Sequence, residues 1–170
     1  RTPTAQWTVT GSGAAILSAS GEGPYITHIT PGKIVDMGIK DANNMGAAMA
    51  PAAAYVIGEN LKDFPDLQYD KIVTGDLGTV GSRILCDLLK EEGVDISGIH
   101  EDCGVKIFDG KTQGTGAGGS GCGCSASTLC GYILDQVKAR KWKRILFVPT
   151  GALVSPISAN EGNSIPGIAH

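Results

Sequence analysis

The sequence predicts an α/β domain in which a mixed sheet is covered by helices. Short β-branched apolar runs alternate with longer stretches of helical periodicity, the pattern of strands joined by helical crossovers. Glycine accounts for 25 of 170 residues, about twice the usual share, so backbones are expected to pack closely. Hydrophobic residues make up 42% and charged residues 18%, which supplies a core and excludes a disordered chain.

The elements follow in order. Residues 13–18 form an apolar run between glycines and read as a buried strand. Residues 25–29 alternate, are β-branched and read as a second strand, hairpin-linked to the first, which makes the sheet mixed. Pro31 and Gly32 bend the chain, and residues 33–37 continue the strand. Met49, Ala52, Ala53, Val56 and Ile57 share one helical face, with Asn43 or Asn44 as cap. Pro51 falls in an early turn of that helix or kinks it. Residues 71–75 are a compact strand. Ile84, Leu85, Leu88 and Leu89 define a second helix, closed by Gly93. Residues 105–108 read as a strand. A third helix carries Leu129, Cys130, Ile133, Leu134 and Val137. Residues 144–148 are a strand, residues 151–153 a turn, and residues 165–169 a last strand.

The net charge of −3 gives no broad basic footprint for nucleic acid. No run of about 18 apolar residues is present to span a membrane as a helix. Five cysteines at irregular spacing argue for a reducing compartment rather than a disulfide framework.

Ligands of open α/β sheets sit beyond the carboxyl ends of strands, which directs attention to three loops. In residues 74–78, Asp76 is either a polar ligand contact or base, or a helix cap. In residues 114–125, Gly119, Ser120, Gly121 and Cys122 precede a helix, and exposed amides there suit a carboxylate or phosphate; tight packing without a ligand is the alternative. The G-x-G-x-x-G match of Gly114, Gly116 and Gly119 lies too late in the chain for a dinucleotide fingerprint. In residues 149–156, Thr150 or Ser155 can donate to a ligand or bond local backbone. Cys122 and Cys124 are a nucleophile only if a base approaches, and a structural role is preferred for all five cysteines. His100, Asp102 and Cys103 do not make a metal site. His28 reads as a strand residue. Lys138, Arg140, Lys141, Lys143 and Arg144 are a solvated helix end or a contact for an acidic partner or lipid headgroups.

Taken together, the motifs TGSGA at 10–14, NMGAAMAPAAA at 44–54, TGDL at 74–77, DCG at 102–104, GGSGCGCSA at 118–126, TGALVSP at 150–156 and SIPGIAH at 164–170 resemble the stage V sporulation protein AD family. The resemblance implies one half of a two-lobed thiolase-like fold, with a five-stranded mixed sheet covered by helices. Residues 1–170 would be the C-terminal half, the N-terminal half and a short final strand being absent. It implies a non-catalytic protein that binds dipicolinic acid, alone or with calcium, for uptake into developing spores and release in germination. Condensing relatives place His, and His or Asn, at the loops matching Gly75-Asp76 and Gly119-Ser120; neither imidazole is here. The ligand residues would be Asp76, Gly119, Ser120, Gly121, Cys122 and Ser155, with no cofactor and no resident metal. The partners implied are other subunits of a spore membrane complex on the cytoplasmic face of the inner membrane, and a second copy as homodimer. An acyltransferase or a scaffold subunit is the alternative.

Overall fold

The computed structural model describes residues 2–170. Strand β1 (Trp7–Thr8) pairs in parallel with β5 (Gly119–Ser120). A second sheet has the order β2 (Ile34–Val35), β8 (Gly167–Ala169), β7 (Thr150–Ala152), all antiparallel. A third has the order β4 (His100–Asp102), β3 (Lys71–Thr74), β6 (Ile145–Val148), all parallel. The architecture is therefore mixed α/β as expected, but its hydrogen bonds divide the strands into ladders of two, three and three rather than one of five. Only Pro149 separates β6 from β7, and a proline has no N–H to give a ladder.

Helix α1 (Met45–Asp63) starts at Asn44, whose side chain accepts from the Ala47 amide, and contains Pro51. Its alanine-rich surface permits close approach on two sides. At Gly46 a Cβ would lie 2.4 Å from the Leu77 carbonyl oxygen and 2.9 Å from the Gly81 nitrogen, on helix α2 (Gly78–Glu91). At Gly167 of β8 a Cβ would lie 2.9 Å from Met49 Cα. Helix α2 closes as expected on Gly93, whose φ of +84° is left-handed. The Gly93 and Val94 amides return to the Lys90 and Leu89 carbonyls, the paired bonds of a Schellman ending.

The central strands are buried on both faces, which is why they read as continuous apolar runs. Ile72, Leu146 and Val148 join Met49, Ile57, Leu85 and Leu89 on the side of α1 and α2. The alternate residues Val73, Ile145 and Phe147 join Cys103, Cys124, Ile133, Tyr132 and Trp142 on the other. That second layer is one helical run, α4 (Cys124–Thr128), a π-helical turn Leu129–Ile133, and α5 (Leu134–Lys138).

Several expectations need correction. Residues 13–18 and 25–29 are not strands, and they are not buried: Ile16 is 99% exposed and Ile29 78%. Among the described residues no backbone–backbone hydrogen bond involves residues 10–33. Their composition suits a ladder, but none of the described residues pairs with them as a second edge. His28 consequently lies in no strand and meets Phe64 edge-on, with ring centroids 4.4 Å apart. Residues 105–108 are not a strand: helix α3 (Cys103–Lys106) begins there, capped by the Asp102 carboxylate on the Val105 amide at 3.1 Å. The strand lies just before, as β4, because that edge pairs with β3. Residues 150–152 are strand β7 rather than a turn, and a short helix α6 (Pro156–Asn160) follows. Cys130, expected in the core, is only partly buried.

Candidate functional site

The loops that follow β3, β5 and β6 converge, as the carboxyl-end rule predicts. Asp76 leaves β3 and is 8% exposed. Its carboxylate accepts from the Gly121 amide at 2.9 Å and from the Thr150 hydroxyl at 2.8 Å. The Asp76 amide donates in turn to Thr150 Oγ1 at 2.8 Å. Gly121 presents its N–H from a φ of +104°, a conformation that favours glycine. Burial raises the Asp76 carboxyl above its ordinary value while these donors pull it down. Gln6 completes the junction, its Nε2 donating to the carbonyls of Asp76 and Gly119, both at 2.8 Å. Asp76 thus joins β3, β5 and β7, and both its oxygens are occupied.

The cap expected of Asp76 is supplied from elsewhere. Asp102, at the end of β4, is 4% exposed. One of its oxygens accepts from Thr74 Oγ1 at 2.7 Å and the Leu77 amide at 2.9 Å; the other accepts from the Gly78 amide at 2.9 Å and the Val105 amide at 3.1 Å. A single carboxylate therefore satisfies the first donors of both α2 and α3. Burial pushes it up to about 6 against these four donors. His100 Nε2 meets the same Thr74 hydroxyl at 2.9 Å, and burial pulls its imidazole down to about 4.

Next to the junction, at the start of α1, is a cavity of about 170 Å³ lined by Ala5, Gln6, Ala42, Asn43, Met45 and Ser120. Ser120 is the one residue of the expected ligand set in its wall. Gly119 and Gly121 flank it, their carbonyl and amide bound to Gln6 and Asp76. Cys122 is exposed in the loop before α4. Ser155 belongs elsewhere: it caps α6, accepting from the Ser158 amide at 3.1 Å. The amide nest expected of the glycine loop is therefore partly consumed by Asp76. Gln6 and Asn43 carry no motif; chain topology alone brings them to Ser120.

The family model for stage V sporulation protein AD matches residues 1–170. Stage V sporulation protein AD of Bacillus subtilis (strain 168) is 46% identical over 169 residues, which is 98% of this chain and 50% of that protein. The chain belongs to the stage V sporulation protein AD family. Membership places it among sporulation proteins, and it spans about half the length of the curated relative it matches. The cysteines and histidines of this chain are not among the residues lining the cavity. Cys103 and Cys124 are buried, and burial raises both thiols, Cys124 to about 12. His28 is on the exposed segment. Among the described residues no group of three His, Cys, Asp or Glu is placed to hold a metal, and no helix is long and apolar enough to cross a membrane.

Proposed function

We propose that this chain is the C-terminal half of a two-lobed thiolase-like protein, and that the full-length protein binds dipicolinic acid without transforming it. The strand order supports the first part. Reading β6 and β7 as one strand bent at Pro149 gives β4, β3, β6–β7, β8, β2, five strands covered by helices.

The cavity beside Ser120 carries the second part. Its lining residues include Ser120 and Asn43, whose side chains can donate hydrogen bonds, and no Asp or Glu, which suits an anionic ligand. It opens at the start of a 19-residue helix, whose positive end favours negative charge. Gln6 spends its Nε2 on two backbone carbonyls; its Oε1 remains as an acceptor for a cation accompanying the dianion, calcium among them. At about 170 Å³ the cavity is smaller than the roughly 300 Å³ at which drug-sized sites begin. The part of the relative's length not matched here would supply the remaining wall. No histidine is among the lining residues, and burial raises the Cys103 and Cys124 thiols, so this chain's part of the wall offers acyl transfer no base–nucleophile pair.

Calorimetric titration of dipicolinate into the full-length protein, with and without calcium, tests this reading. Ser120→Ala and Asn43→Ala are each expected to weaken binding about tenfold, the loss of one hydrogen bond to a charged group. Absence of heat with wild-type protein under both conditions would end the proposal.

A further inference from the structure

We infer that residues 138–144 dock the protein on an anionic lipid surface. Lys138, Arg140, Lys141, Lys143 and Arg144 are five of the chain's fourteen Lys and Arg, and none of its seventeen acidic residues lies among them. All five are exposed, and none takes part in an ion pair among the described residues. The acid that does reach the loop, Asp70, accepts the backbone amides of Lys143 at 2.6 Å and Arg144 at 3.0 Å. It holds the loop in shape through backbone, and Lys138, Lys141 and Lys143 stay exposed. Compensation of the helix dipole accounts for Lys138 in the last turn of α5, but not for four cations after the helix has ended, since that effect fades within a turn.

The loop is also braced. Arg140 turns the chain with a φ of +56°. Lys141 donates its amide to the Gln136 carbonyl at 3.0 Å. Trp142, at the centre of the cations, is half-buried and packs edge-on against Tyr132 with centroids 5.9 Å apart. A compact cluster of four to eight Lys and Arg is attracted to anionic headgroups, and Trp is at home at the water–lipid boundary. A nucleic acid would have to run on beyond these seven residues over a surface that is net acidic, which disfavours it. This surface shares no residue with the dicarboxylate cavity and stands independently of that reading.

The test is co-sedimentation of the full-length protein with phosphatidylcholine vesicles containing about one-third phosphatidylglycerol or none. Binding is expected only to the anionic vesicles and is expected to vanish at high salt. Combined Lys138→Gln, Lys141→Gln and Lys143→Gln should weaken it about a hundredfold, roughly fivefold per cation. Combined Lys40→Gln, Lys90→Gln and Lys111→Gln removes the same net charge from other exposed sites and should leave binding within about threefold. Wild-type protein that ignores anionic vesicles at low salt, equal losses in the two triple variants, or tighter binding to duplex DNA than to vesicles would each overturn the inference.

Discussion

Replacing Asp102 by Asn is expected to destabilise the protein although the two side chains have nearly the same shape. Both Asp102 oxygens accept, one from Thr74 Oγ1 and Leu77 N, the other from Gly78 N and Val105 N. An amide offers one acceptor oxygen and one NH₂ group. With the NH₂ toward Gly78 and Val105, two backbone amides lose their acceptor. With it toward Thr74 and Leu77, the Thr74 hydroxyl can turn to accept, but the Leu77 amide is left without a partner in a site 4% exposed. The second orientation costs less: about 1–3 kcal/mol for the orphaned donor, plus the weakening of the two remaining charge-assisted bonds. Relief from burying a charge offsets part of this, so the net loss is about 2 kcal/mol. Asp102→Ala strands all three amides and should cost about 4 kcal/mol. Urea unfolding followed by circular dichroism at neutral pH measures both. An Asn variant within about 0.5 kcal/mol of wild type, the range of ordinary surface changes, would refute the claim that four converging donors fix the α2 and α3 starts.

His100 gives a pH signature. Burial holds its folded-state value near 4 against 6.5 in its ordinary state, so the unfolded chain takes the proton first. Stability from this group is complete above 6.5 and falls by about 3 kcal/mol as the pH drops to 4. Asp102, raised from 3.8 to about 6, acts in the opposite sense over nearly the same window and masks the loss. His100→Gln should therefore gain about 3 kcal/mol relative to wild type between pH 7 and pH 4; parallel stability–pH curves for the two proteins would count against it. Two glycines of α1 should respond with opposite signs to alanine. Gly58→Ala meets only Glu92 Oε2 at 3.6 Å and should stabilise by about 0.5–1 kcal/mol. Gly46→Ala would drive its methyl against α2 backbone and should cost about 2 kcal/mol. Thermal melts of the pair decide this, and a stabilised Gly46 variant would contradict the packing.

The elements legible in the sequence are those whose information is local. The α1 face, an asparagine cap at 43 or 44, the Gly93 ending, and the doubly buried strands β3 and β6 all announce themselves within a few residues. The segment 13–29 shows the limit of such signals: its strand composition is genuine, but a ladder needs a second edge, and Ile16 and Leu17 stand 99% and 77% exposed without one. Strands β1, β5 and β7 show the converse. Trp7–Thr8, Gly119–Ser120 and Thr150–Ala152 have no strand signature, and form because Gln6, Asp76 and Thr150 tie distant segments together.

The same long-range bonding explains why the site was only half readable. Carboxylates at the carboxyl ends of parallel strands invite a chemical reading, because that is where ligands bind. Here Asp102 takes two protein donors on each oxygen, which leaves its carboxylate little to offer a substrate, and Asp76 takes one on each. What they do is hold neighbouring backbone in place: Asp76 anchors the amide of Gly121, the residue after Ser120, while Gln6 anchors the carbonyl of Gly119, the residue before it. Ser120 is thereby fixed from both sides, in the cavity wall it shares with Asn43. Binding a rigid ligand rewards such preorganisation, since the ordering cost is met on folding rather than on association. The two aspartates thus brace the backbone around Ser120 and the starts of α2 and α3, and under the proposed reading the neutral residues beside them meet the ligand.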